Sequence, residues 1–197
     1  MKQLVLATAN RHKVRELELL LADLRIRLLT LDDFPGITPA EEDQPTLEGN
    51  ALKKARTVHA ATKLPSLADD SGLEVHYLND APGVFSSRYA GPNASYAENC
   101  KKLLNALRGV PPRRRAARFR CVLAFVAPGI ERMVEGILPG AITEEQHGMG
   151  GFGYDPIFLP QGYPQTLAEM SESRKNSISH RGRAVELMKI ELSAYMK

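Results

Sequence analysis

The chain has 197 residues, 43% hydrophobic and 25% charged, and its 26 basic and 23 acidic side chains leave a formal charge of +3. That length supports one domain, with or without two lobes, around a sizeable core, and so small a net charge gives no sign of a nucleic-acid binder. Two cysteines, Cys100 and Cys121, exclude a disulfide framework, and the longest apolar run, 121–127, is far short of the ~20 residues a membrane span needs.

In chain order, KQLVLATAN (2–10) reads as a short buried strand running into a turn. Val14, Leu17, Leu20, Leu21 and Leu24 then share a helical face, predicting a helix over 13–24, and a strand is expected over 26–29. A polar, proline-bearing loop (32–45) leads to a second helix over 46–63, patterned by Leu47, Ala51, Ala55 and Val58, with Pro65 beyond its end. SLADDSGLEV (66–75) follows, with Asp69 and Asp70 read at a strand end before a Ser-Gly turn. Ser95-x-x-Glu98 is a capping-box signature for a helix carrying Leu103, Leu104 and Leu107. Residues 117–127 and 132–143 are predicted strands joined by a turn at Pro128-Gly129, 156–160 a short extended piece, and 184–196 a closing helix. Strands and helices mix without strict alternation, so an α/β or α+β fold with a mixed sheet is expected. No basic-then-apolar start marks a secretory leader, and the expectation is a soluble, cytoplasmic protein.

Several stretches carry chemistry. LATANRHK (6–13) ends a strand and opens a helix, whose free N–H groups and dipole make an anion site, with Lys13, Thr8 and Asn10 beside it; the alternative is a plain helix cap with a surface lysine. In PAEEDQPTLEGNALKKA (39–55), Glu41 or Glu42 could help hold a hard cation such as Mg²⁺ ahead of a helix bearing Lys53 and Lys54. Asp69 and Asp70 point to opposite faces of a strand, so one is expected to enter a site while the other orients it or caps a turn. A metal-assisted hydrolysis fits that pair better than an Asp-x-Asp phosphatase does. Gly148, Gly150 and Gly153 spell G-x-G-x-x-G, but Pro156 and an extended run follow where a helix should begin, so no dinucleotide site is read there. These glycines instead shape a loop offering the aromatic faces of Phe152 or Tyr154. Lys175, His180 and Arg181 gather donors ahead of the last helix, and five arginines between Arg113 and Arg120 are the one feature favouring a nucleic-acid-binding module.

Together TANRHK, EED…T…NALKKA, LADDSGLEV, APGVFSSRYAG, GGFGYDPIF and KNSISHRG resemble the inosine/xanthosine triphosphate pyrophosphatase family along almost the whole chain. Maf-type pyrophosphatases, which act on other modified nucleotides, share the fold but are not expected to carry the FGYD and SHR pair. The resemblance implies a single pyrophosphatase domain over 1–197, with an elongated mixed β-sheet flanked by helices and two lobes around a nucleotide cleft. It implies a homodimer that uses Mg²⁺ to cleave ITP, dITP or XTP to the monophosphate and pyrophosphate, with no nucleic-acid or membrane partner. By position, Thr8, Ala9, Asn10, Arg11, His12, Lys13 and Lys54 would hold the triphosphate. Asp70 would be the catalytic carboxylate and, with Glu42, a metal ligand, while Ser71 would touch substrate. Phe152, Gly153, Tyr154, Asp155, Lys175, His180 and Arg181 would face base and sugar. Two positions depart from the family pattern: Ala9 stands where glycine is common, and Gly49 stands where Glu-Asn-Ala usually begins, placing a glycine inside a helix at a cost of ~1 kcal/mol.

Overall fold

A computed structural model of the chain describes residues 2–196. Its strands are β1 (Lys2–Leu6), β2 (Ile26–Leu29), β3 (Ser66–Val75), β4 (Pro82–Gly83), β5 (Ala116–Ala127), β6 (Ile130–Ile142) and β7 (Phe158–Pro160), and its helices are α1 (Arg11–Leu20), α2 (Leu47–Thr62), α3 (Tyr96–Ala106), α4 (Glu172–Ile178) and α5 (His180–Met196). The strands run in the order β2-β1-β3-β5-β6-β7, with β4 added on β3. β1 pairs in parallel with β2 and β3, whereas β3–β4 and β6–β7 are antiparallel, so the sheet is mixed as expected.

Local chemistry sets the boundaries. α1 begins at Arg11, two residues before the predicted start, because Asn10 caps it, and it ends at Leu20 because Leu21 leaves helical geometry. α2 begins where Thr46 Oγ1 accepts the Gly49 N–H and ends at Lys63, whose backbone is left-handed. The Ser95–Glu98 capping box opens α3, and a left-handed Gly129 turns β5 into β6. Two expectations need correction. Asp69 and Asp70 lie in the middle of a ten-residue strand, because Ser71-Gly72 continues it instead of turning. The final helix starts at His180, not Ala184: Ser179 is extended and separates it from α4, which the pattern alone did not reveal.

The chain forms two compact units. The first holds residues up to Asp70, Cys121–Gly136 and those from Arg181 on; the second holds Ser71–Arg120 and Ile137–His180. Leu6, Leu17, Leu67, Phe125 and Met188 belong to the core of the first, and Leu73, Leu103, Phe119, Ile157 and Phe158 to that of the second.

Four of the five clustered arginines have intramolecular work, which weakens the nucleic-acid reading. Arg115 is buried and donates to the carbonyls of Leu107 (2.9 Å), Ile142 (2.8 Å) and Thr143 (2.5 Å). Arg118 and Arg120 both pair with Glu74, and Arg114 lies over the Tyr77 ring. Arg115→Ala should therefore cost about 3 kcal/mol in urea unfolding, because several carbonyls lose their donor in a buried place. A loss under ~0.5 kcal/mol, the scale of an ordinary surface substitution, would contradict that role.

Candidate functional site

The two adjacent acids of β3 meet different partners, as opposite strand faces require. Asp69 is fully buried in the first unit, 2.5 Å from Lys13 Nζ and 2.7 Å from Arg181 Nε, while the Cys121 thiol donates to it at 3.2 Å. Arg181 reaches on to buried Glu16 at 2.5 Å. Burial alone would raise the Asp69 carboxyl, but Arg181 and Lys13 override it and hold the group well below the usual carboxylate range. Arg181 is likewise desolvated, yet the surrounding acids keep its charge firmly in place.

Asp70 shares a second cation. Lys54 Nζ donates to Asp70 Oδ1 (2.7 Å), to Glu42 Oε1 (2.9 Å) and to the Asp69 carbonyl (2.8 Å). Burial depresses the lysine, but Asp70 and Glu42 more than offset this and raise its pKa. Asp70 itself is pushed up, chiefly by burial and further by Glu42, against the pull of Lys54 and Lys13. A carboxylate held above its ordinary range beside a second acid can take up a proton and has reason to bind a further cation.

The donor set is all oxygen: two carboxylates and a carbonyl already surround one cationic head. Such a set fits Mg²⁺, which takes one or two carboxylates and completes its shell with water and substrate phosphates. No cluster of three or more His, Cys, Asp or Glu side chains able to hold a metal unaided occurs among the described residues.

At the start of α1, Asn10 Oδ1 accepts the N–H groups of His12 (3.0 Å) and Lys13 (3.3 Å), and Thr8 Oγ1 accepts that of Asn10 (3.2 Å). Two of the helix-start donors expected to face an anion are therefore held by the chain's own cap, and the Lys13 ammonium lies against Asp69. Ala9 is not among the residues with positive φ, so its departure from glycine brings no backbone strain. Arg11 and His12 are exposed on the first turn of α1.

In the second unit, Lys175 Nζ pairs with Asp155 Oδ2 at 2.5 Å and sits 4.5 Å above the Phe152 ring, and Asp155 also accepts the Phe152 N–H at 2.8 Å. Gly151 is indispensable to this turn: its φ is 70°, and a Cβ there would lie 2.1 Å from Asp155 Oδ2. Tyr154 is buried and donates its hydroxyl to the Ser86 carbonyl (2.9 Å), so it braces the loop while Phe152 stays half-buried. Gly153 offers its carbonyl to the Cys100 thiol, which burial and nearby Asp155 push up to about 12. His180 stacks on Phe119, with centroids 4.7 Å apart. Ser71, next along β3 from Asp70, is half-buried.

The structure thus gathers Lys13, Glu42, Lys54, Asp69, Asp70 and Arg181 in one unit, and Phe152–Asp155, Lys175 and His180 in the other. Arg181, expected at the base and sugar, is engaged by Asp69 and Glu16. Glu16 and Cys121 were missed from sequence. Glu16 does carry a signal, since an acid at i−4 from Leu20 and next to Leu17 lies on the apolar arc of α1; Cys121 carries none.

Comparison with known proteins bears on the sequence and the fold as a whole. A sequence model of the Ham1 family matches residues 4–191. A dITP/XTP pyrophosphatase of Geobacter sulfurreducens is 48% identical over 193 residues, covering 98% of this chain and 97% of that one. One from Bacillus licheniformis is 48% identical over 188 residues, covering 94% and 95%. Among solved structures, a HAM1 protein from Coxiella burnetii superposes with a TM-score of 0.90 at 43% identity, covering 98% of this chain and all of its own. A nucleoside-triphosphatase / dITP/XTP pyrophosphatase from Mycobacterium abscessus gives 0.78 at 40% identity, covering 94% and 98%. In sequence and in fold, the chain belongs to the Ham1 family.

Proposed function

We propose that this protein hydrolyses non-standard purine nucleoside triphosphates, ITP, dITP and XTP, to the monophosphate and pyrophosphate. The observation that carries the reading is the cluster of buried Asp70 and Lys54 with half-buried Glu42, in a family whose matched relatives are named dITP/XTP pyrophosphatases. Glu42 and Asp70 would hold Mg²⁺, which when bound would neutralise phosphate oxygens and the departing pyrophosphate. Asp70 orients the attacking water and accepts its proton, a task suited to a carboxylate held above its usual range. Lys13, Lys54 and the Thr8–Lys13 turn, with Ala9, Arg11 and His12, take the phosphate end. Ser71 touches substrate beside Asp70.

Phe152 offers an aromatic face to the base, and Gly153, Tyr154 and Asp155 set the loop that presents it. Lys175 and His180 are donors suited to the 6-oxo group of hypoxanthine or xanthine. Adenine places an amino group there, and each buried donor left unpaired costs about 1–3 kcal/mol, up to roughly a hundredfold in preference. Arg181 supports the phosphate end by fixing Asp69. No helix among the described residues is long and apolar enough to cross a membrane; action in the cytoplasm, as a homodimer, completes the proposal.

Hydrolysis of ITP, XTP, GTP and ATP with Mg²⁺, scoring pyrophosphate against phosphate, tests it. Pyrophosphate from ITP and XTP at a rate at least tenfold above ATP or GTP is expected, with loss of turnover on chelation. Phosphate as the sole product, or equal use of all four, would overturn the reading.

A further inference from the structure

The acidic loop that carries Glu42 has no regular secondary structure between Phe34 and Thr46, yet three consecutive residues of it are tied to α2. Glu42 pairs with Lys54 at 2.9 Å and Asp43 with Lys53 at 2.7 Å. The Gln44 N–H donates to Asn50 Oδ1 at 3.0 Å. The first two ties join flexible side chains, and the Asp43–Lys53 pair is solvent-screened, the kind that contributes little. The third differs. Asn50 has no exposed surface, and it grips backbone, which fixes where the loop runs and not merely where a side chain rests.

Gly49 makes that grip possible. A Cβ at position 49 would lie 2.9 Å from Gln44 Cβ, closer than real Cβ atoms come, and a tight 3.3 Å from Thr46 Oγ1. The missing side chain lets Gln44 lie against the first turn of α2, in line with the Asn50 amide. The helix-interior glycine, costly by propensity, is thus the seat of the loop. Asn50 Nδ2, by contrast, is buried with no hydrogen-bond partner. Keeping a buried amide whose donor goes unused is unfavourable, so its acceptor has a task that an apolar residue would not perform.

We propose that Asn50 is a positioning residue for Glu42: by holding the Gln44 N–H it sets the loop register that brings the Glu42 carboxylate to Lys54 and, resting on the metal reading above, to the divalent cation. Mn²⁺ binding, read from the free-ion EPR signal in the presence of α,β-imido-ITP, tests this without turnover, alongside amide exchange at Gln44. Asn50→Ala should weaken Mn²⁺ binding three- to tenfold and speed Gln44 exchange at least tenfold. Asn50→Asp, which keeps the accepting oxygen, should retain the protection at Gln44. Glu42→Gln is the control for the reading beneath. If it leaves Mn²⁺ affinity unchanged, the Glu42 assignment fails and the inference falls with it. If Glu42→Gln weakens Mn²⁺ binding and Asn50→Ala does not, the inference alone is overturned. Should Asn50→Ala not fold, Gln44→Pro removes the same donor from the loop side and should weaken Mn²⁺ binding to a like degree; wild-type affinity in that variant overturns the inference as well.

Discussion

Asp70→Asn is expected to lower kcat for ITP by at least a thousandfold while the protein stays folded. The substitution is nearly isosteric, so the packing of β3 is kept, but an amide can neither accept a proton from water nor bring a negative charge to a cation. General-base catalysis contributes about 10²–10⁴-fold, and the loss of one of the two carboxylates proposed to hold Mg²⁺ would add to it. Stability should change little, because two effects oppose. Burial has already pushed the Asp70 carboxyl up, so its ionised form is held at a cost that the amide removes. Lys54 in turn loses one of its carboxylates but keeps Glu42 and the Asp69 carbonyl. Steady-state kinetics on ITP together with a thermal melt decide the matter: more than a tenth of wild-type turnover, or a collapse of the fold, would remove Asp70 from its place.

Much of this arrangement was legible in the residue pattern, and what was not has identifiable physical causes. The Ser95–Glu98 capping box announced the start of α3, because it acts through local hydrogen bonds that sequence spacing encodes, whereas the start of α1, capped in the same way by Asn10, was expected two residues later than it falls. Asp-Asp-Ser-Gly misled, since the same letters that make a turn can run through a strand when each acid finds a cation from elsewhere in the chain. Those cations, Lys13, Lys54 and Arg181, lie 16 to 112 positions away from Asp69 and Asp70, and no local periodicity reports such pairings. Glu16 was legible only in part for the same reason: its place beside the apolar face of α1 could be read, but what a buried helix acid does there is intelligible only with Arg181 in view. The five arginines read as one patch, but only their partners, the Leu107, Ile142 and Thr143 carbonyls, Glu74 and Tyr77, show that most brace the second unit.

The neighbouring substitution, Asp69→Asn, should behave in the opposite way, with its main effect on stability. Asp69 is wholly buried and lies against both Lys13 and Arg181, so neutralising it removes the carboxylate they share, while Arg181 keeps its pairing with Glu16. Removing one partner from a buried ion cluster costs about 3–5 kcal/mol, which for a chain of this size is roughly a 10 °C fall in Tm. The effect should depend on pH with a definite sign. The folded-state pKa of Asp69 is depressed below its ordinary 3.8, so between the two values the unfolded chain binds more protons. Its stabilisation is therefore complete above the unfolded value and is lost as pH falls through the folded one. Asp70, whose pKa is raised, acts in the reverse sense, favouring the fold at low pH and fading as pH rises through its elevated value. Wild type and Asp69→Asn should differ most in urea melts at about pH 7 and converge as pH drops below about 4, while wild type and Asp70→Asn show no such convergence. A stability gap for Asp69→Asn that stays constant from neutral to acid pH would mean that the Lys13–Asp69–Arg181 cluster is not what holds this end of β3 in place.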